Sequence, residues 1–356
     1  MNIFLTGATG FLGGKLIRQL LDKGHKLYIL ARNIDKAERL IDSVSRNEQH
    51  NITIYKGDIT EKNLGLTDEA ISELKNNVDV FYHLAALVKF DEELRDTLMN
   101  INLNGTREAL QIAKTLKVKK FFHVSTAYTV GKDNEGQETL SPADREFFNP
   151  YEESKALAEH EVFKMKDEME VSIFRPSIIV GDSKTGEADS EFTLYGFMRG
   201  LEVFKKRLER KNLLQGRSIH LIGTKDGTSN LVPVDYVADI LALAMEKAEK
   251  EKIYHITNPA PKTNQHILET IKKHLNFEGL QVIEVEKAAI LTKEEIQLNG
   301  MIKVFQPYLD RHIDFHDDNT QDFIKGTSIS HLNMTDEMLN IIIGAYFQLN
   351  KEKATV

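Results

Sequence analysis

Thr6-Gly7-Ala8-Thr9-Gly10-Phe11-Leu12-Gly13 is the stretch whose reading decides the fold. It follows Ile3-Phe4-Leu5, which reads as a buried strand, and precedes Leu16, Leu20 and Leu21 at helical spacing. In that strand-to-helix setting Gly7, Gly10 and Gly13 have separate tasks. The first permits a tight turn, the second lets backbone approach a pyrophosphate, and the third lets the helix pack closely on the strand. The helix start then offers unpaired N–H groups to the anion. The helix itself reads as 11–23 and stops at Gly24, where a left-handed cap is needed.

Outward from this run, short apolar strands alternate with amphipathic helices. Strands are expected at Asn2–Thr6, 27–31, 52–55, 78–83, 119–125 and 171–175, and helices at 98–116 and 153–165. The alternation predicts an α/β fold, a Rossmann-type doubly wound parallel sheet. At 356 residues the chain exceeds what one core serves. A dinucleotide-binding domain is expected over 1–181, resuming at about 230–258 with a helix at 235–248 and a strand at 253–257. Residues 182–229 and 259–356, ending in a helix at 337–349, are assigned to a smaller, mostly helical C-terminal substrate lobe.

Composition narrows the function. A net charge of −8 gives little support to nucleic-acid binding. The absence of cysteine removes disulfides, zinc-thiolate sites and covalent catalysis through an enzyme thiol. No segment approaches the roughly 20 apolar residues of a membrane helix. Met1-Asn2 runs straight into the first strand without a signal-peptide pattern, so the expected location is the cytoplasm.

The end of the second strand distinguishes the two nicotinamide cofactors, because a carboxylate there accepts the ribose hydroxyl of NAD whereas an arginine holds the phosphate of NADP. Ala31-Arg32-Asn33 carries no carboxylate; Arg32, with Arg18 nearby, therefore favours NADP over NAD. Tyr151 and Lys155 stand four apart, on one face of a helix. A nearby cation stabilises a phenolate and brings the tyrosine towards the working range of an acid-base group. Lys155 can also bind the nicotinamide ribose. The pair follows Phe121-Phe122-His123-Val124-Ser125-Thr126, whose C-terminal end is where ligands bind in open α/β sheets, so Thr126 or Ser125 can reach a substrate oxygen.

With Gly57-Asp58-Ile59, His83-Leu84-Ala85-Ala86, Asn102-Leu103-Asn104-Gly105-Thr106 and Arg175-Pro176-Ser177-Ile178 in order, the chain resembles an extended short-chain dehydrogenase/reductase. The resemblance reaches about residue 240. The segments 123–128 and 175–186 are similar to the branch of fatty acyl reductases and carrier-protein thioester reductases. It implies that Thr9, Phe11 and Leu12 join the glycines at the cofactor, that Asp58 and Ile59 lie by the adenine, and that Ala85 and Ala86 run along the dinucleotide. It further implies that Asn102 stands behind the active site, that Ser125 lies at the cofactor, and that Pro176 and Ile178 lie near the nicotinamide. Thr126, Tyr151 and Lys155 match the catalytic set. The substrate class implied is an acyl thioester or related carbonyl, reduced by direct hydride transfer, with an acyl carrier protein or CoA as partner.

Other readings stay open. The same fold and residues serve nucleotide-sugar epimerases and dehydratases, ketone reductases, and non-catalytic NADP-sensing regulators. The resemblance leans to a homodimer and leaves a monomer open. His312 and His316 stand at helical spacing in an acidic run, which reads as a solvated polar segment with no metal. The basic stretch 205–217 reads as a solvated helix face, with a phosphate of CoA or phosphopantetheine, or an acidic carrier, as the alternative. Phe192, Tyr195 and Phe197 read as pocket lining or lobe core.

Overall fold

The computed structural model describes every residue except 143, 190–192, 215, 216, 225 and 356, and for 350–355 the backbone alone. Among the described residues seven parallel strands form one sheet. They are β1 (Asn2–Thr6), β2 (Lys26–Ala31), β3 (Ile52–Lys56), β4 (Val80–His83), β5 (Lys120–Val124), then Glu170–Pro176 and Lys252–Ile256. From one edge the order is Lys252–Ile256, Glu170–Pro176, β5, β4, β1, β2, β3. Both faces are covered, so the strands read as continuous apolar runs.

Register sets two rows across the middle of this sheet. Phe4 stands opposite Phe81, and Phe81 opposite Phe121; two residues further on, Thr6 stands opposite His83, and His83 opposite His123. Side chains two apart on a strand share a face, so the aromatic ladder leads into a polar row at the strand ends. The phenyl rings lie 4.9 and 5.1 Å apart, the two imidazoles 5.4 Å.

The first helix, α1 (Phe11–Asp22), ends at Lys23 before Gly24, whose φ of +76° is the left-handed cap expected from the sequence. It packs beside the helix Val234–Lys247, with Gln19 bonded to Asp239 and Lys23 to Glu246. The helix expected over 98–116 begins at Arg95 instead and carries a π-helical stretch, Met99–Asn104, before Gly105–Leu116. The wider turn occurs where the Asn102 side chain bonds to segments outside its own helix. The helix expected over 153–165 starts at Pro150, because Asn149 accepts the Glu152 N–H as its N-cap and proline suits the first turn.

The chain divides into two compact units. The first joins Met1–Ser177 and Val234–Thr257 with Phe315–His331, a segment expected from its sequence to lie in the lobe. Phe323 explains its place, packing against Phe174 and Tyr254 of the sheet. The second unit holds Ile178–Pro233, Asn258–Asp314 and Leu332–Val356. Its helices include Leu194–Arg210, Asn264–Leu275, Lys293–Ile302 and Asp336–Thr355, with two parallel strand pairs between them. The basic stretch closes the first of these helices, with Lys205 paired to Glu209 and Lys206 to Glu202. Phe192 lies outside the described residues; Tyr195 is buried, and its hydroxyl accepts from the Gly181 N–H. No helix among the described residues is long and apolar enough to cross a membrane.

In the first unit one buried ion pair fastens a loop to the sheet. Arg175 is 2% exposed and Glu159 0%, and they meet in a fork with contacts of 2.9 and 2.5 Å. The guanidinium also donates to the Gln137 and Thr139 carbonyls. Arg175→Met removes the cation and strands a buried carboxylate, which should cost about 3–5 kcal/mol. Urea unfolding should show the loss, and a midpoint equal to that of the parent chain would refute it.

Candidate active site

At the end of β1 the backbone turns at Gly7 with φ +75°, a conformation open to glycine. A Cβ at Gly7 would stand 2.6 Å from the Ala85 nitrogen, and one at Gly13 would stand 2.3 Å from the Gly7 oxygen. Glycine therefore lets the loop, the helix start and the segment after β4 touch backbone to backbone. Gly10 caps α1 in an extended conformation, and no side chain caps the first N–H groups. The loop thus has the form of an anion cradle, flanked by half-buried Thr9, Phe11 and Leu12.

Arg32 follows β2 and its side chain is 74% exposed. From the sequence it was expected to be free for a phosphate; the structure sets it 3.7 Å from Asp58, which follows β3. Such an exposed pair is worth about 0–1 kcal/mol and does not prevent an exchange of partner. Arg18 instead donates to Ser43. Asp58 also accepts from the backbone and hydroxyl of Thr60, beside buried Ile59. Ala85 is half-buried and Ala86 exposed after β4.

Asn102, 1% exposed, is a clamp. Its oxygen accepts from the Leu87 N–H at 2.7 Å, and its amide donates to the Leu87 carbonyl at 3.0 Å and to Ser154 Oγ at 2.9 Å. Ser154 Oγ donates in turn to the Tyr151 carbonyl. One side chain in the π-helical stretch therefore ties the segment after β4 to the helix bearing Tyr151.

Thr126 and Tyr151 come together, their side chains close enough for the hydroxyl to act on the phenol. Thr126 is extended just beyond β5 and also accepts the Tyr128 N–H. Burial pushes the Tyr151 phenol above its ordinary value, against the opposing effect of the Thr126 hydroxyl. The phenolate stabilisation expected from Lys155 is not among the influences on this phenol, and the Lys155 ammonium is held by β5. It donates to the Val124 carbonyl at 2.8 Å and to His123 Nε2 at 3.3 Å. Burial lowers Lys155 to about 8, with Glu159 acting in the opposite direction. Ser125 Oγ is buried and has no partner among the described residues, an open position that fits a bound polar group.

Pro176 ends its strand in the first unit, whereas Ile178 begins the second and lines a cleft there. That cleft, of about 680 Å³, is walled by residues such as Leu194, Phe197, Leu221, Ile271 and Phe305. Its polar side chains bond one another and the backbone: Ser229 donates to Asn264, and Asn264 to the Leu309 carbonyl. Phe90, whose ring meets that of Tyr151 at 6.0 Å, and the two strand-end histidines are further site residues that sequence reasoning missed. The histidines stand opposite one another on β4 and β5, a signal visible only once register is known. His312 and His316 share no helix face, since 312–316 includes an extended pair; His312 bonds Thr228 and Asp314, and His316 bonds Glu135.

Residues 5–241 match the model of the male sterility protein family. The chain belongs to that family. It is an extended short-chain dehydrogenase/reductase of the thioester reductase-like branch. A linear gramicidin synthase polypeptide of Brevibacillus parabrevis is 27% identical over 316 residues, spanning 83% of this chain and 6% of that protein. Fatty acyl-CoA reductase wat of Drosophila melanogaster is 28% identical over 305 residues, 71% of this chain and 56% of that one. The chain thus spans little more than half, or far less, of these curated relatives. In fold it is similar to the terminal R domain of the myxalamid PKS-NRPS pathway, with a TM-score of 0.78 and 24% identity, covering 100% of this chain and 91% of that one.

Gly7→Ala should weaken binding of a reduced nicotinamide dinucleotide at least about tenfold in a fluorescence titration, since the methyl group has no space and the backbone no easy conformation. Gly300→Ala, where nothing lies within 4 Å of the added carbon, should bind as the parent does. Equal binding by both variants would refute the cradle.

Proposed function

We propose that this chain is an NADP-dependent reductase acting on an acyl thioester or a related carbonyl compound by direct hydride transfer. The observation that carries this reading is the meeting of the Thr126 and Tyr151 hydroxyls at the C-terminal end of β5, whose last carbonyl holds the Lys155 ammonium. Bound nicotinamide supplies the hydride. Thr126 and Tyr151 hydrogen-bond the carbonyl oxygen as negative charge develops there, and Tyr151 gives it a proton. Lys155, held by Val124 and His123, is the cation that the family resemblance assigns to the phenolate that remains.

With a thioester, addition of hydride to the carbonyl carbon and of the tyrosine proton to its oxygen gives a hemithioacetal. Expulsion of the thiol then leaves an aldehyde, and a second reduction gives an alcohol. Neither step calls on an enzyme thiol, and the chain has none. The relatives named fatty acyl-CoA reductase support CoA thioesters as the first class to try, with a carrier-bound thioester as the second.

Mixing the protein with NADPH and a series of acyl-CoA thioesters, aldehydes and ketones should deplete absorbance at 340 nm with at least one thioester. Tight NADPH binding without depletion by any of them would leave a cofactor-sensing role instead. Tyr151→Phe should lower turnover by about 10²–10⁴ while NADPH binding persists; retained turnover would remove Tyr151 from the acid's role.

Arg32 supports NADP, because no carboxylate stands at the tip of β2 and its present ion pair is exposed. Arg32→Glu should raise the dissociation constant for NADPH by about ten- to a hundredfold, the value of a charge-assisted bond, with little effect on NADH. Equal losses for the two cofactors would show that Arg32 does not read the phosphate.

A further inference from the structure

Beneath the site lies a buried polar stack that the proton transfer itself does not use. His83 and His123 are both 0% exposed, and their rings stack at 5.4 Å with planes inclined by 25°. The hydrogen bonds fix the form of His83. Thr106 Oγ1 donates to the Asn102 carbonyl at 2.6 Å, so towards His83 Nε2, 3.1 Å away, it can only accept. His83 therefore carries its proton on Nε2, and its Nδ1 accepts from the Thr6 hydroxyl at 2.7 Å. Thr6 closes β1 just before the glycine loop, and its oxygen also receives the Ala85 N–H. His83 is thus a neutral, fixed platform.

On that platform His123 directs Nε2 at the Lys155 ammonium, 3.3 Å away. An ammonium has only donors, so the imidazole accepts, and the proton of His123 sits on Nδ1. Nδ1 is buried and has no partner among the described residues. The ring is thus oriented in favour of Lys155 and against its own second nitrogen. The carboxylate that acts on Lys155 from its own helix is Glu159, which Arg175 holds in its fork. The charge of Lys155 is consequently supported at short range by two neutral acceptors, the Val124 carbonyl and His123.

We propose that His123 is a positioning residue, whose neutral imidazole holds the Lys155 ammonium charged and aimed while His83 holds the imidazole. The proposal rests on the reading that Lys155 is the cation of the reacting site. The groups that bear on this ammonium are Glu159 on its own helix, His123 from β5, His83 from β4 and, through Glu159, Arg175 from the neighbouring strand. Burial together with Lys155 presses both imidazoles far below their ordinary value, so neither adds charge in the neutral range.

Lys155 loses its proton as pH rises through about 8, so turnover that needs the ammonium falls there. Removing an acceptor from a buried cation lowers that value further, by about one unit for a hydrogen bond to a charged group. His123→Leu should therefore move the alkaline limb of the kcat profile down by about one unit and cut turnover near pH 7.5 about threefold. His123→Gln, which can place an acceptor where Nε2 stands, should restore the limb. A variant whose thermal midpoint falls but whose limb stays in place would overturn the proposal and leave His123 as packing.

Two measurements do not depend on turnover. In protein labelled at the lysine ε-carbon, with Lys155→Met for assignment, the Lys155 titration should move down in His123→Leu; an unmoved titration overturns the proposal. Imidazole ¹⁵N shifts of the unaltered chain should show His123 as the Nδ1–H form and His83 as the Nε2–H form, and an Nε2–H form at His123 overturns it even if no variant folds. If these hold while no carbonyl compound is reduced, it is the reductase reading that fails and not the role of His123.

Discussion

An ammonium buried to 2% exposure sets the terms for everything around it. A charge withdrawn from water must be compensated by hydrogen bonds or lose its proton. Lys155 meets this with the Val124 carbonyl and the His123 imidazole, both at the end of one strand. Ser125 and Thr126 follow immediately, so the acceptors that keep Lys155 charged and the Thr126 hydroxyl that acts on Tyr151 come from the single run His123-Val124-Ser125-Thr126. The helix must then start at Pro150 and not later, because Tyr151 lies in its first turn and Lys155 one turn on. The Asn149 cap fixes that start, and Asn102 fixes the helix against the segment after β4 through Ser154.

Parallel pairing carries the same constraint into the glycine loop. Because Thr6, His83 and His123 share one row, the end of β1 is joined through imidazoles to the end of β5. The loop at Gly7 touches Ala85 by backbone, just beyond His83. A shift of one residue in either pairing would turn every side chain in the row to the other face. The phenyl row two residues earlier resists such a shift, since Phe4, Phe81 and Phe121 are fully buried against one another. Apolar packing in the middle of the sheet thus holds polar chemistry at its edge in register.

What the sequence made legible were features that need only local chain. The glycine run, the strand-to-helix switch and the Tyr151 and Lys155 spacing are all covalent patterns. The helix Leu194–Arg210 was obscured by the polar run before it and the basic residues within it, although Leu194, Phe197, Met198, Leu201, Phe204 and Leu208 form its buried stripe. The return of Phe315–His331 to the first unit depends on Phe323 meeting Phe174 and Tyr254, which no local pattern announces. The π-helical stretch arises from bonds that Asn102 makes to other segments. Arg32 and Asp58 are 26 positions apart in the sequence, so their approach depends on the pairing of β2 with β3.

The two titrating groups at the site are displaced in opposite senses, and burial is the cause of both displacements. Burial raises the phenol of Tyr151 and lowers the ammonium of Lys155, because in each case the charged form is the one that water no longer supports. Their ordinary values lie close together, near about 10 and 10.4; in this chain the lysine gives up its proton well before the tyrosine. Near neutrality the tyrosine is therefore protonated, while the lysine, whose value lies at about 8, is still largely charged. The same burial that makes Lys155 depend on its acceptors thus keeps the phenol of Tyr151 protonated near neutrality.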